Sequence, residues 1–224
     1  MRNDPSDKRK YISGAVAAAV CALYAAIVAT DIFRAQIPFS GVLTLAGVVL
    51  CAVYAGVLLP RGRSARAVLP VLFAAVMTAA ADVLLLFVPA LYAVGVAIFC
   101  AAQTIRLSLF SGLSGRRAAI LCAAQASLAG VLLLRGVPAL YAAGTVYALL
   151  LLANLVCAFV CRAPRGIKML RRTGMALFAL CDICVALFNL LPAGTRLQRA
   201  AAALMWAFYL PSQLLLAREA GLCT

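Results

Sequence analysis

The sequence predicts an all-α membrane protein, a single polytopic bundle of eight transmembrane helices. The first indication is composition, because 67% of the 224 residues are hydrophobic and only 12% are charged, far from the usage of a soluble domain. The second is length, because apolar runs of about 20 residues, enough to cross the hydrocarbon core, recur along the chain. The third is that basic residues collect in alternate connections, as they do in polytopic proteins.

The predicted spans follow one another with short connections, so no separate soluble domain is expected. A basic N-terminal tail of residues 1–10 precedes a single transmembrane domain of residues 11–217, and a short tail of residues 218–224 follows it. The first apolar run is longer than the h-region of a signal peptide, about 7–15 residues, which favours a retained helix. In chain order the spans cover roughly residues 11–30, 40–60, 67–88, 90–110, 117–134, 138–161, 169–191 and 197–217.

The basic residues predict the orientation of these spans. Fifteen of the 20 basic residues lie before span one, after span eight, or near the connections between spans two and three, four and five, and six and seven. Four lie near the other connections. By the positive-inside rule both termini face the cytoplasm, and the basic rim meets anionic membrane lipids. The net charge of +14 is therefore spread over loops, so a nucleic-acid partner is not expected. The predicted location is the cell membrane.

Two aspartates lie inside predicted spans, Asp82 in the third and Asp182 in the seventh. A charged side chain in hydrocarbon costs about 2.5–3.5 kcal/mol on insertion scales, so a functional site is the default explanation. Both spans run in the same direction and place the carboxyls about 9 Å and about 13 Å below the outer ends, so the two can meet if these helices pack together. The alternative is a structural hydrogen bond between helices. Two aspartates at similar depth, without a basic residue nearby in sequence, favour function.

The candidate chemistry is acid/base catalysis by carboxyls. The chain contains no histidine, which excludes histidine zinc sites and serine–histidine–aspartate triads, and we expect neither a metal nor another cofactor. One protonated and one ionised carboxyl form an acid/base pair of the glycosidase kind. Arg106, near the end of its span, is expected to extend to the cytoplasmic surface. Polar groups that could support the aspartates or bind substrate, although each alone is more often an interhelical hydrogen bond, are Thr78, Gln103, Asn189, Tyr209 and Gln213.

Two further patterns surround the aspartates. Each aspartate is followed by apolar residues and a phenylalanine, and the next span then carries an aromatic residue four positions before Gln103 or Gln213. This pattern favours a 4+4 parallel repeat of two four-helix halves. Cys181 and Cys184 flank Asp182 in a C-x-x-C pair, which a redox dithiol would use. The predicted outer loops contain no relaying cysteine pair, so the two are interpreted as small apolar residues.

Four short motifs follow one another in order within residues 38–217, and both aspartates belong to them. In this order and spacing they resemble the signatures of the YhhN family, the lysoplasmalogenases. The main departures of the chain from the family pattern are at Ala81 (family Gly), Gln103 (His), Arg106 (Tyr) and Cys181 (Ser). The matching segments are Thr78-x-x-Ala81-Asp82 (family Ser-x-x-Gly-Asp), Phe99-x-x-Ala102-Gln103-x-x-Arg106 (Phe-x-x-Ala-His-x-x-Tyr), Phe178-x-x-Cys181-Asp182 (Phe-x-x-Ser-Asp) and Tyr209-x-x-Ser212-Gln213 (Tyr-x-x-Ala-Gln).

The resemblance implies an eight-helix hydrolase that cleaves the vinyl ether bond of lysoplasmalogens, giving a fatty aldehyde and a glycerophospho-base. Such cleavage requires proton delivery to carbon and attack of water on an oxocarbenium ion, for which Asp82 and Asp182 supply two carboxyls. Tyr209 and Gln213 would orient a carboxyl or the water. Which aspartate is the acid, the head group of the lysolipid and the oligomeric state stay open. The alternative is a proton- or ion-coupled transporter that uses the same aspartates.

Overall fold

The computed structural model describes residues 5–32, 40–58 and 65–222, and these residues form α-helices joined by turns, with no strand among them. Two short 3₁₀ turns, Pro89–Leu91 and Glu219–Gly221, adjoin the helices. The α-helices are α1 (Pro5–Ile32), α2 (Ser40–Val57), α3 (Ala65–Phe87), α4 (Tyr92–Ser111), α5 (Gly115–Leu134), α6 (Ala139–Val160), α7 (Arg165–Leu190) and α8 (Arg196–Arg218).

The helices have the length and composition of membrane spans. Within the described ranges seven of them are long and apolar enough to cross a bilayer, whereas the apolar part of α2, Gly41–Val57, is shorter. The structure therefore confirms the predicted all-helical architecture, with helices long and apolar enough to span a membrane. The orientation of the termini and the 4+4 repeat stay predictions.

The helix ends differ in places from the predicted spans. α1 begins at Pro5, so the predicted tail is helical from that residue, while residues 1–4 lie outside the described part of the chain. α7 begins at Arg165, so basic residues predicted to lie between two spans occupy its first turns. α8 begins where the Thr195 side chain accepts a hydrogen bond from the backbone N–H of Gln198 at 3.2 Å, which satisfies one free donor of the first turn.

Two helix pairs have the most extensive interfaces, α3 with α4 and α7 with α8. A glycine lies at each. A Cβ atom on Gly95 would be 2.9 Å from the Leu85 side chain, and one on Gly174 would be 2.9 Å from Leu216. Small residues of this kind let helix backbones approach closely in membranes. α3 and α7 do not pack on each other over the described residues, and α8 contacts both of them.

The core cluster nearest the aspartates lies where α3, α4, α6, α7 and α8 meet, with Ile27 of α1 and Val48 of α2 at its edge. It contains Phe99, Met175, Phe178, Tyr209 and Leu210, all at most 7% exposed. α5, by contrast, has no fully buried residue, although Leu121 and Leu128 pack against α4 and α6 and Gln125 bonds Thr104 of α4. This arrangement places the aspartate-bearing helices around a shared interior.

A candidate active site: two carboxyls in an aromatic cavity

Asp82 and Asp182 line the same cavity, although their helices do not touch. The cavity has a volume of about 380 Å³, and α3, α4, α6, α7 and α8 all contribute to its walls. The aspartates enter it from different sides, with α8 between their helices. The structure thus brings the two predicted carboxyls to one interior space, by a route other than direct α3–α7 packing.

The Asp82 carboxyl is deeply buried and has a tyrosine partner. It is 6% exposed, and the Tyr209 hydroxyl of α8 donates a hydrogen bond of 2.6 Å to its Oδ2 atom. Tyr209 is itself 4% exposed. Asp82 lies five residues before the end of α3, or about 8 Å below it. The predicted partnership of Tyr209 with an aspartate has this geometric basis.

The Asp182 carboxyl has a matching partner on another helix. The Tyr147 hydroxyl of α6 donates a hydrogen bond of 2.6 Å to Asp182 Oδ2, and both residues are half-buried. Sequence reasoning missed Tyr147. The sequence feature that could have identified Tyr147 is its place in the middle of an apolar span, because a buried phenol usually finds a hydrogen-bond partner.

A row of four aromatic rings connects the two aspartate–tyrosine pairs. Tyr147 meets Phe99 edge-on at a centroid distance of 5.9 Å, Phe99 lies 6.3 Å from Phe178, and Phe178 stacks on Tyr209 at 5.9 Å. All four residues line the cavity. Because offset and edge-on contacts of this kind stabilise aromatic packing, the row holds both phenols in place. The result is an apolar chamber with two hydrogen-bonded carboxyls in its wall.

Arg106 lies behind this aromatic row, and the expectation that it reaches the surface is wrong. It is 4% exposed, and its Nη2 atom donates to Gln213 Oε1 at 2.9 Å and to Thr78 Oγ1 at 3.3 Å. Its Cζ atom is 5.3 Å from the centroid of the Phe178 ring. The reason is that Arg106 projects toward α3 and α8, which supply these acceptors. A basic group therefore lies close to the aspartates in space, although none is close in sequence.

The predicted supporting residues divide into two sets. Tyr209 and Asn189 line the cavity, although the Asn189 side chain is exposed and donates to Val185 O of its own helix at 2.8 Å. Thr78 and Gln213 lie outside the cavity and hold Arg106. Gln103 is fully buried and accepts hydrogen bonds from Asn154 Nδ2 at its carbonyl oxygen, 2.9 Å, and at Oε1, 3.1 Å. Gln103 therefore joins α4 to α6 by interhelical hydrogen bonds. This is the structural role that the sequence indicates as the alternative for such polar groups.

The cysteine pair beside Asp182 consists of free thiols. Cys181 and Cys184 are both buried, and only Cys181 lines the cavity. Over the described residues there is no group of three or more histidine, cysteine, aspartate or glutamate side chains that could hold a metal ion. Among the residues that line this cavity, the groups that can transfer a proton or act as a nucleophile are thus the two carboxyls, the phenols and the Cys181 thiol.

No protein-family model matches the chain, and neither a curated protein nor a solved structure shows significant similarity to it. The function must therefore be inferred from the residues of the cavity.

Proposed function

We propose that this protein is a membrane-embedded hydrolase that cleaves the vinyl ether bond of lysoplasmalogen-type lysolipids, with Asp82 and Asp182 as its acid/base pair. One observation carries the proposal: both intramembrane carboxyls line one aromatic cavity, and each accepts a hydrogen bond from a tyrosine. The order of the four motifs that resemble the lysoplasmalogenases supports the choice of reaction.

The reaction divides into steps that two carboxyls can perform. One carboxyl donates its proton to the vinyl carbon remote from the ether oxygen, which leaves an oxocarbenium ion. The ionised carboxyl stabilises this cation and takes a proton from the attacking water. The hemiacetal so formed then collapses: the second carboxyl returns its proton to the departing glycerol oxygen, and the hemiacetal hydroxyl reprotonates the first. The net change is addition of one water to give an aldehyde and an alcohol.

The cavity suits a single-chain lipid. Its volume of about 380 Å³ lies within the usual range for small-molecule sites, about 300–1,000 Å³. Its walls are mainly aliphatic and aromatic, including Phe99, Phe178 and Trp206, so an alkenyl chain is better accommodated than a polar metabolite.

The two tyrosines act as positioning residues in this scheme. Each phenol fixes one carboxyl through a short hydrogen bond to Oδ2, which leaves the other carboxyl oxygen to face the substrate or water. Hydrogen bonds to an ionised carboxylate are about twice as strong as neutral ones. Tyr147 and Tyr209 therefore stabilise whichever carboxyl is ionised at each step.

Cation transport by the same aspartates is less well supported. Arg106 lies about 10 Å further along α4 than Phe99, behind the Phe178 ring. A buried guanidinium repels a cation at this depth, and the Phe178 ring of the cavity wall packs directly against it. A through-path for cations is not favoured by this arrangement.

The experiment is turnover of a vinyl ether lysolipid by purified protein in detergent or nanodiscs, with release of fatty aldehyde as the readout. Asp82→Asn and Asp182→Asn should each abolish most of the turnover while the protein stays folded. Thr145→Val is the matched control, because Thr145 is exposed on α6 and bonds only its own helix. Full turnover in both asparagine variants contradicts the proposal, and ion flux into liposomes without aldehyde would favour the transporter.

A further inference from the structure

Arg106 is a buried cation whose hydrogen-bond partners are neutral. Its Nη2 atom bonds the Gln213 amide and the Thr78 hydroxyl, and its Nη1 atom is buried without a partner among the described residues. A buried charge is tolerated in an apolar interior only when an opposite charge compensates it. No carboxylate forms an ion pair with Arg106 within the described ranges, so its compensating charge must lie beyond direct contact.

The ionisable groups packed around Arg106 are the candidates for this compensating charge. The packed helices present Asp82 from α3, Tyr147 from α6, Asp182 from α7 and Tyr209 from α8. The turn after α8 presents Glu219 and α2 presents the Cys51 thiol, and both line a cavity of about 20 Å³ together with Arg106.

Glu219 is already engaged by another buried cation. Its Oε1 atom accepts hydrogen bonds from the Arg171 guanidinium, 2.9 Å from Nε and shorter still from Nη2. Arg171 is 8% exposed and Glu219 is 2% exposed, so the two form a buried ion pair. The acidic groups left to compensate Arg106 are the two aspartates of the cavity.

The aromatic row lies between Arg106 and these aspartates. The guanidinium packs against Phe178 at 5.3 Å, and the same ring lines the cavity with Asp82 and Asp182. Phe178 also stacks on Tyr209, the phenol that bonds Asp82. A low dielectric strengthens the attraction between the guanidinium on one side of this ring and the two carboxyls that line the cavity on the other.

We propose that Arg106 is the counter-charge of the aspartate pair and holds it in the state with one carboxyl ionised and the other protonated. With one guanidinium present, two ionised carboxyls leave a net charge of −1 in the core and two protonated carboxyls leave +1. Only the mixed state is neutral. This is also the state in which the pair can deliver a proton and stabilise a cation.

The counter-charge is a feature of this chain rather than of the motif it resembles, which has a tyrosine where Arg106 stands. The effect of this counter-charge on catalysis rests on the proposed function. The charge balance between Arg106 and the two aspartates does not depend on that function. Arg106 lines no part of the cavity with the aspartates, so it acts through them as a positioning residue.

Infrared spectroscopy tests the charge balance without any substrate, because a protonated carboxyl has its own C=O stretching band. At neutral pH, Arg106→Met should roughly double the band that the aspartate pair contributes, and Arg106→Lys should restore it. Asp82→Asn or Asp182→Asn alone should remove the band, because the remaining carboxyl must balance Arg106. Arg117→Met is the control, because Arg117 is exposed on the first turn of α5. An unchanged band in folded Arg106→Met, or a change produced instead by Glu219→Gln, overturns the proposal.

A stability measurement keeps the test decisive if Arg106→Met folds poorly. The double variant Asp82→Asn/Asp182→Asn leaves Arg106 without a counter-charge and should lower the thermal unfolding temperature. Adding Arg106→Met to that double variant should raise the temperature again. A triple variant that is less stable than the double variant contradicts the proposal. Absence of vinyl ether hydrolysis in the wild-type protein would overturn the proposed function and leave both of these results interpretable.

Discussion

The two tyrosine–aspartate hydrogen bonds have the same length but different surroundings, and this predicts unequal effects of Tyr209→Phe and Tyr147→Phe. Each substitution removes one hydroxyl and keeps the ring, so the aromatic row is preserved. Asp82 is 6% exposed and Tyr209 4% exposed, so when that hydroxyl is removed, water in the cavity reaches this carboxyl less readily than it reaches Asp182. Asp182 and Tyr147 are half-buried, so water in the cavity can replace the lost donor.

The magnitude follows from the value of a hydrogen bond to a charged group, about 1.5–3 kcal/mol. We assign the upper end to Tyr209 and the lower end to Tyr147. Since each 1.36 kcal/mol in the barrier is tenfold in rate, Tyr209→Phe should lower kcat/KM about 150-fold and Tyr147→Phe about 10-fold.

The assay is steady-state aldehyde release from a vinyl ether lysolipid, with thermal unfolding measured alongside. Tyr141→Phe is the matched control, because Tyr141 lies on α6, 68% exposed and outside the cavity. The reasoning about burial is refuted if Tyr147→Phe is the more damaging variant. It is also refuted if both variants stay within twofold of the wild-type protein.

Two further predictions concern the cavity wall and the Arg171–Glu219 ion pair. A Cβ atom on Gly144 meets nothing within 4 Å although Gly144 lines the cavity, so Gly144→Leu should fill the cavity and raise KM without lowering the unfolding temperature. Gly130→Leu, equally open on α5, is its control, and an unchanged KM would show that substrate does not occupy this wall. Arg171→Met should destabilise the protein by about 3–5 kcal/mol, because it removes the buried ion pair that Arg171 forms with Glu219. Arg171→Met/Glu219→Leu should recover part of this loss in chemical denaturation, and no recovery would contradict the ion-pair explanation.

The sequence predicted the helices because hydrophobic length alone specifies membrane spans. The two aspartates were found for the same reason, since a carboxyl stands out in an apolar run. Helix ends were less well predicted. At α7 the basic residues suggest a loop, yet the helix continues through Arg171, whose charge is balanced by Glu219 from the far end of the chain.

The partners of the aspartates were only partly predictable. Tyr209 was chosen for its place in a motif, and the structure places it on Asp82. Tyr147 and Arg106 were missed as partners because their contacts cross between helices: Tyr147 reaches Asp182 over a separation of 35 residues, and Arg106 reaches Gln213 over 107. Which face of a membrane helix turns inward depends on such packing, and composition and span length do not report it.

The position of Arg106 on α4 also bears on how the chain enters the membrane. An arginine at the centre of a helix opposes insertion by about 2.5–3.5 kcal/mol when the helix enters alone, and Arg106, five residues before the end of α4, carries part of this cost. Gln213 is made more than a hundred residues after Arg106 and cannot help at that moment. Thr78 and Asp82 precede it on α3, the neighbour with which α4 has one of its two most extensive interfaces. Entry of α3 and α4 as one hairpin would bring Arg106 its Thr78 acceptor and the Asp82 carboxyl before the rest of the site has been synthesised.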